Sequence, residues 1–329
     1  MTKVFIAGQL PAQANTLLLQ NQLVIDTYTG DELISHDELI RRVADADYLI
    51  TPLSTKVDQD VLDHAPRLKL IANFGAGTNN IDTIAASKRH IPVTNTPNVS
   101  AVATAESTTG LIISLAHRIV EGDHLMRTTG FNGWAPLFFL GHNLQAKTLG
   151  ILGLGQIGQE VAKRLHAFDM PILYSQHHRL PISRETQLGA TFVSQDELLQ
   201  RADIISLHLP LNPATTHLIG STELAQMKST AFLINAARGP IIDEQALVTA
   251  LQQHQIAGAA LDVYEHEPQV TPALKTMDNV ILTPHLGNAT VEARDGMATI
   301  VAENVIAMAQ HQPIKYVVNQ VTLTSGATR

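Results

Sequence analysis

A chain of 329 residues is long enough for about two domains of ordinary size. Its 45% hydrophobic and 16% charged content places it among folded globular proteins and outside the disordered class. A net charge of −8 argues against a nucleic-acid or anionic-membrane partner, and the lack of cysteine excludes disulfides, thiol nucleophiles and thiolate metal sites.

The segment Met1 to Gly8 is too short in apolar length for a signal peptide and reads as a first strand. No run approaches the length of a membrane span, so a cytoplasmic location is expected. Up to Asn95, short apolar runs alternate with amphipathic stretches. Strands are predicted at Val4–Ala7, Leu23–Ile25, Tyr48–Thr51, Leu68–Ala72 and Pro92–Thr94. Helices are predicted around Gln13–Gln20, Asp37–Val43, Asp58–His64 and Thr83–Lys88. Such alternation predicts an α/β unit with a largely parallel sheet. After the fourth strand comes Asn73-Phe74-Gly75-Ala76-Gly77-Thr78-Asn79-Asn80. Two glycines one residue apart can present amides to an anion, although the residues alone leave an ordinary strand-to-helix turn equally open.

Thr96-Pro97-Asn98 marks a boundary, and Ala101 to Arg118 is a long helix-forming stretch. Gly122 to Gly141 then carries the only tryptophan, Trp134, with Phe131, Leu137, Phe138, Phe139 and Leu140. In a chain with 4% aromatic residues this clustering predicts a covered loop or arm, as local core or as a dimer contact.

A second alternation starts at Lys147, with strands predicted at Leu149–Leu152, Ile172–Tyr174, Asp203–Leu207, Phe232–Asn235, Ala257–Leu261 and Val280–Thr283. The first of these enters Gly153-x-Gly155-x-x-Gly158 and a stretch of helical spacing, Ile157 to Phe168. In that setting Gly153 makes the turn and Gly155 lets backbone approach a pyrophosphate. Gly158 allows close helix-on-strand packing, and the helix N-terminus meets the phosphates. Strand before and helix after make this a strong sign of dinucleotide binding, with Leu154, Gln156 and Ile157 in the same turn. Ser194-Gln195-Asp196-Glu197 has capping-box spacing and predicts a helix start. Further helices are expected at Asp243–Gln253 and Val291–Gln310, and the tail Thr322–Arg329 is expected to fray.

Ligands of open parallel sheets bind beyond the carboxyl ends of the strands. There the chain places Ala236-Ala237-Arg238-Gly239, Asp262-Val263-Tyr264-Glu265-His266-Glu267-Pro268 and Thr283-Pro284-His285. An arginine, a carboxylate and a histidine thus collect near the nicotinamide end of a dinucleotide. A guanidinium can hold a substrate carboxylate and polarise its carbonyl, and an imidazolium can give the oxygen a proton. A neighbouring carboxylate orients the imidazole and favours its charged form; spacing does not choose between Glu265 and Glu267. His177 and His178 are adjacent with no acid or thiolate near, so no metal site is expected.

Several motifs in order carry a family resemblance: Gly153-x-Gly155-x-x-Gly158, Ser206-Leu207-His208-Leu209-Pro210, Ile234-Asn235-Ala236-Ala237-Arg238-Gly239, Gly258-Ala259-Ala260-Leu261-Asp262-Val263 and Thr283-Pro284-His285. Over nearly its whole length the chain resembles the D-isomer-specific 2-hydroxyacid dehydrogenases. The resemblance implies an α/β fold of two domains. A Rossmann-type doubly wound parallel sheet (100–289) is inserted into a smaller flavodoxin-like α/β substrate domain (1–99 and 290–329). It implies that Arg238 binds substrate, that His285 is the acid/base with Glu267 as partner, and that the Ala76 and Gly77 amides hold the substrate carboxylate. Asp262, Ala236 and Thr104 would lie by the nicotinamide, and Leu209, Pro210 and Thr215 by the adenosine. A homodimer through Ala101–Leu140 is also implied.

The sequence departs from NAD-specific members at the end of the second strand, where an acid usually takes the ribose hydroxyls about twenty residues past the glycines. Here the stretch is Ser175-Gln176-His177-His178-Arg179, with Gln176 in the acid's place. Loss of the carboxylate removes repulsion of a 2′-phosphate, and Arg179 and His177 can attract one. NADP(H) is therefore expected in preference to NAD(H). Within the family the chain looks closest to glyoxylate/hydroxypyruvate reductases. A branched or aromatic 2-oxo acid reductase and a short phosphoglycerate dehydrogenase are the neighbouring alternatives. From another class, a dinucleotide-sensing interaction protein of the corepressor type shares the same fold.

Overall fold

Five apolar runs, β1 (Lys3–Ile6), β2 (Val24–Thr27), β3 (Tyr48–Pro52), β4 (Leu70–Phe74) and β5 (Val93–Thr94), pair in parallel in the order β2-β1-β3-β4-β5. Seven more form a second parallel sheet: β6 (Leu149–Leu152), β7 (Ile172–Ser175), β8 (Ala190–Phe192), β9 (Ile204–Leu207), β10 (Phe232–Asn235), β11 (Gly258–Leu261) and β12 (Val280–Leu282). Its order is β12-β11-β10-β9-β6-β7-β8, the Rossmann arrangement extended by one strand. The computed structural model describes residues 2–321, so the predicted frayed tail, Thr322–Arg329, lies outside the described residues. The chain divides into two units, one reaching Ser100 and resuming at Thr290, the other Ala101–Ala289.

Both sheets are buried on both faces, and for that reason their strands read as continuous apolar runs instead of alternating ones. In the second unit one face packs Leu198, Leu233, Leu247 and Ala259, and the other Ile151, Val161, Leu165 and Tyr174. In the first unit Phe5, Leu49 and Ile71 face one core, while Ile6, Ile50 and Ala72 face Val301 and Val305 of helix Val291–Ala309. Helix starts are set by short polar side chains. Ser35, Asp58, Asp82, Ser194, Asp243 and Thr290 each accept from the amide three residues on, at about 1 kcal/mol apiece. At Ser194 the box is half used, since the Glu197 carboxylate turns to Arg201.

Among the elements that escaped the sequence reading are β8 and the helices Ile182–Leu188 and Ser221–Gln226, all too short to show a period. The long helix ends at Ala116, because Arg118 adopts a left-handed φ of 55° and a second helix, Ile119–Thr128, follows. The arm expected from Gly122 thus begins inside a helix none of whose residues is buried. Beyond it Phe131 stacks on Phe138 at 6.1 Å, while Trp134 and Leu137 are both 84% exposed.

Candidate active site

The register of the second sheet places Ser175, Leu152, Leu207, Asn235, Leu261 and Leu282 in one row across its carboxyl edge. The next residue of each strand, Gln176, Gly153, His208, Ala236, Asp262 and Thr283, therefore lies along that edge.

At Gly153 the backbone has φ +92°, and a Cβ there would lie 2.6 Å from the His208 carbonyl oxygen. At Gly158 it would lie 2.4 Å from the Gly153 carbonyl oxygen, so helix Gln156–His166 can approach the turn only without a side chain. A Cβ on Gly155, the residue that starts this helix, meets nothing within 4 Å. Tight turn, helix N-terminus and open backbone at Gly155 together fit the pyrophosphate of a dinucleotide.

Gln176 folds back onto this turn. Its Oε1 accepts from the Leu154 amide at 2.8 Å and its Nε2 donates to the His178 carbonyl at 2.6 Å. A neutral amide thus makes the contact while bringing no charge. His177 Nδ1 lies 3.2 Å from His178 Nε2. Arg179 is held in an ion pair. The buried Glu185 carboxylate holds it bidentately at 2.9 and 2.8 Å, which offsets its charge, and Tyr174 donates to the same carboxylate at 2.7 Å. In the loop after β9, Thr215 Oγ1 donates to the Pro210 carbonyl at 2.7 Å, while Leu209 packs on the core below.

Arg238, Glu267 and His285 come together at the other end of the edge. His285 Nδ1 is 3.0 Å from Glu267 Oε2, and the Tyr264 amide donates to Glu267 Oε1 at 3.0 Å. Burial alone would raise the Glu267 carboxyl. The His285 hydrogen bond and charge, the Tyr264 amide and the Arg238 charge overcome this and hold it below the usual carboxylate range. Burial pulls the Arg238 guanidinium below its ordinary value, against the opposing charge of Glu267. Between the two carboxylates the geometry decides: Glu265 is 2.7 Å from His217 Nε2 and also receives the Glu244 amide.

Two residues build this corner without having stood out as its supports. Asn235, 1% exposed at the end of β10, accepts from the Ala237 amide at 3.0 Å and donates to the Arg238 carbonyl at 3.0 Å. Asp262, also 1% exposed, accepts from Thr283 Oγ1 at 2.6 Å and from the Leu286 and Gly287 amides at 2.7 and 2.8 Å. Its carbonyl takes the His285 amide, so this one residue fixes the loop in which His285 sits at a left-handed φ of 54°. Thr104, buried on helix Ala101–Ala116, stands beside it: a Cβ on Gly287 would lie 3.3 Å from Thr104 Cγ2. The sequence signal for both was a polar residue closing a wholly apolar strand. Ala76 and Gly77 belong to the first unit, in the turn after β4.

The profile of the D-isomer specific 2-hydroxyacid dehydrogenase NAD binding domain matches residues 109–287. A Staphylococcus epidermidis protein assigned to the 2-hydroxyacid dehydrogenases is 53% identical over 319 residues, covering 97% of this chain and all of that one. A Thermus thermophilus crystal structure superposes with a TM-score of 0.91 at 38% identity, over 96% of this chain and 100% of that one. The NADPH-dependent glyoxylate/hydroxypyruvate reductase of Sinorhizobium meliloti, solved with NADP and malonate, gives 0.82 at 28% identity over 96% of each chain. The chain belongs to the D-isomer-specific 2-hydroxyacid dehydrogenase family. It is accordingly an oxidoreductase that works with a nicotinamide dinucleotide.

Proposed function

We propose that the protein reduces a small 2-oxo acid of the glyoxylate or hydroxypyruvate kind to the D-2-hydroxy acid, with NADPH preferred over NADH. The observation that carries the reading is the His285–Glu267 hydrogen bond next to a part-buried Arg238. When bound, the cofactor supplies the hydride. Arg238 holds the substrate carboxylate and polarises its carbonyl, and burial strengthens that interaction. Glu267 keeps Nδ1 of His285 engaged, leaving Nε2 to pass a proton to the carbonyl oxygen. In the reverse direction the same nitrogen takes the hydroxyl proton. The Ala76 and Gly77 amides hold the carboxylate, and the unit containing them binds substrate, while Ala101–Ala289 binds the dinucleotide.

Gly153, Leu154, Gly155, Gln156, Ile157 and Gly158 cradle the pyrophosphate in this reading. Thr104, Ala236 and Asp262 border the nicotinamide, and Leu209, Pro210 and Thr215 the adenosine. The NADPH preference is supported by the uncharged Gln176 at the end of β7, with Ser175 and His177 beside it. With Arg179 offset by Glu185, absence of repulsion outweighs attraction as its cause. The NADPH dependence and substrates of the Sinorhizobium meliloti relative support cofactor and substrate class alike. A homodimer, through the arm that leaves Trp134, Leu137 and Leu140 exposed, belongs to the same proposal.

Absorbance loss at the nicotinamide band, followed with a panel of 2-oxo acids and both reduced cofactors, tests the reading. Turnover of glyoxylate or hydroxypyruvate with higher kcat/KM for NADPH is expected; a strong NADH preference defeats the cofactor assignment. His285→Ala is expected to abolish turnover and keep cofactor binding, and near wild-type activity would remove His285 from its role.

A further inference from the structure

In a trans peptide the carbonyl and the following N–H point in opposite directions, so whatever pins the carbonyl also aims the amide. In the turn after β4, Asn95 Nδ2 donates to the Ala76 carbonyl at 2.6 Å and Asn73 Nδ2 donates to the Gly77 carbonyl at 2.6 Å. The Gly77 and Thr78 N–H groups are thereby turned to the side away from both asparagines. Asn73 is fully buried, and its Oδ1 accepts from Asn80 Nδ2 at 3.1 Å. The second hydrogen of Asn80 Nδ2 is anchored on the Thr55 carbonyl at 3.1 Å. Below the turn Gly75 is fixed as well: Thr96 donates to its carbonyl at 3.0 Å, and a Cβ on Gly75 would collide with Leu53. A bare glycine turn would sample many peptide orientations; here side chains from three places in the chain leave it one.

We propose that Asn95 and Asn73, braced by Asn80, are positioning residues that preset the Gly77 and Thr78 amides as an anion cradle for the substrate carboxylate. This rests on the reading that the turn receives that carboxylate, and adds what shapes it. Side-chain amides suit the task chemically: they are donors that take carbonyls and bring no charge to repel an anion. A carboxylate at either position would face a carbonyl with another acceptor and place negative charge beneath the cradle.

The test compares a 2-oxo acid with its neutral 2-oxo amide, in wild type, Asn95→Ala and the isosteric Asn95→Asp. Cofactor affinity is read in parallel by NADPH fluorescence, and folding by thermal melting. Loss of one such hydrogen bond is expected to raise KM for the acid about tenfold in Asn95→Ala and further in Asn95→Asp. NADPH binding and the kinetics of the amide should stay within about twofold. If wild type does not distinguish acid from amide, the carboxylate reading itself fails. If wild type distinguishes them and the folded variants do so equally well, the positioning role is refuted. If Asn95→Ala melts before assay, Asn95→Asp and Asn73→Ser are judged by the same acid-to-amide ratio. A variant that depresses both substrates equally marks Asn95 as a general structural support and overturns the proposal.

Discussion

His208 should make the protein acid-sensitive, and by an amount the structure sets. It follows β9, its Nε2 meets Ser206 Oγ at 2.8 Å, and its Nδ1 is buried without a hydrogen-bond partner among the described residues. Burial pushes its pKa down from 6.5 to about 4. The unfolded chain therefore takes a proton below about pH 6.5 that the folded chain refuses until about pH 4. Stability attached to this group is complete above pH 6.5, falls as the pH drops, and is gone by about pH 4. At about 1.4 kcal/mol per pH unit the loss sums to roughly 3 kcal/mol, an order-of-magnitude figure. His208→Gln keeps a polar end within reach of Ser206 Oγ and removes the titration. Urea unfolding of both proteins across pH 4–7 should show the wild type losing stability faster than the variant, with the gap closing the window at about that size. Parallel pH profiles would refute the claim that a neutral imidazole with its Nδ1 buried lies beside the glycine turn.

Gln176→Glu keeps an acceptor for the Leu154 amide but sets a carboxylate at the strand end, so kcat/KM for NADPH relative to NADH should fall about ten- to a hundredfold. An unchanged ratio would detach cofactor choice from this position. Glu267→Gln removes the charge beside His285 and should lower kcat roughly hundredfold or more, with NADPH binding by fluorescence preserved. Gly153→Ala forces a side chain onto φ +92° and within 2.6 Å of the His208 carbonyl oxygen. A cost of about 1–3 kcal/mol and loss of NADPH fluorescence enhancement are expected, and a variant that melts and binds like wild type would contradict the close packing described for the turn.

Both parallel sheets were legible because buried strands are uninterrupted apolar runs: Leu149–Leu152 and Phe232–Asn235 stand where the residues place them. β8 and the helix Ile182–Leu188 were not, since neither is an uninterrupted apolar run or long enough to define a period, and their place is set by tertiary packing. At the site, residue types were legible and pairings were not. Glu265 and Glu267 stand two residues apart in one loop, and only the fold sends one to His217 and the other to His285. Arg179 shows the converse. It stood out for its charge, and only the fold shows Glu185, six residues on across a turn into a helix, paired with it.

The turns after β4 and β12 are held by opposite chemistry, and the polarity of the holder determines what each turn can offer. Asp262 is an acceptor. It consumes the Leu286 and Gly287 amides, and its own carbonyl takes that of His285, so the turn after β12 is spent as a donor and presents its imidazole. Asn73 and Asn95 act as donors. They consume carbonyls, and the turn after β4 presents amides. Exchanging the two kinds of holder would reverse both surfaces. An asparagine at 262 would lose one acceptor oxygen for the 283–287 turn and loosen His285, while an aspartate at 73 or 95 would repel the carbonyl it now binds.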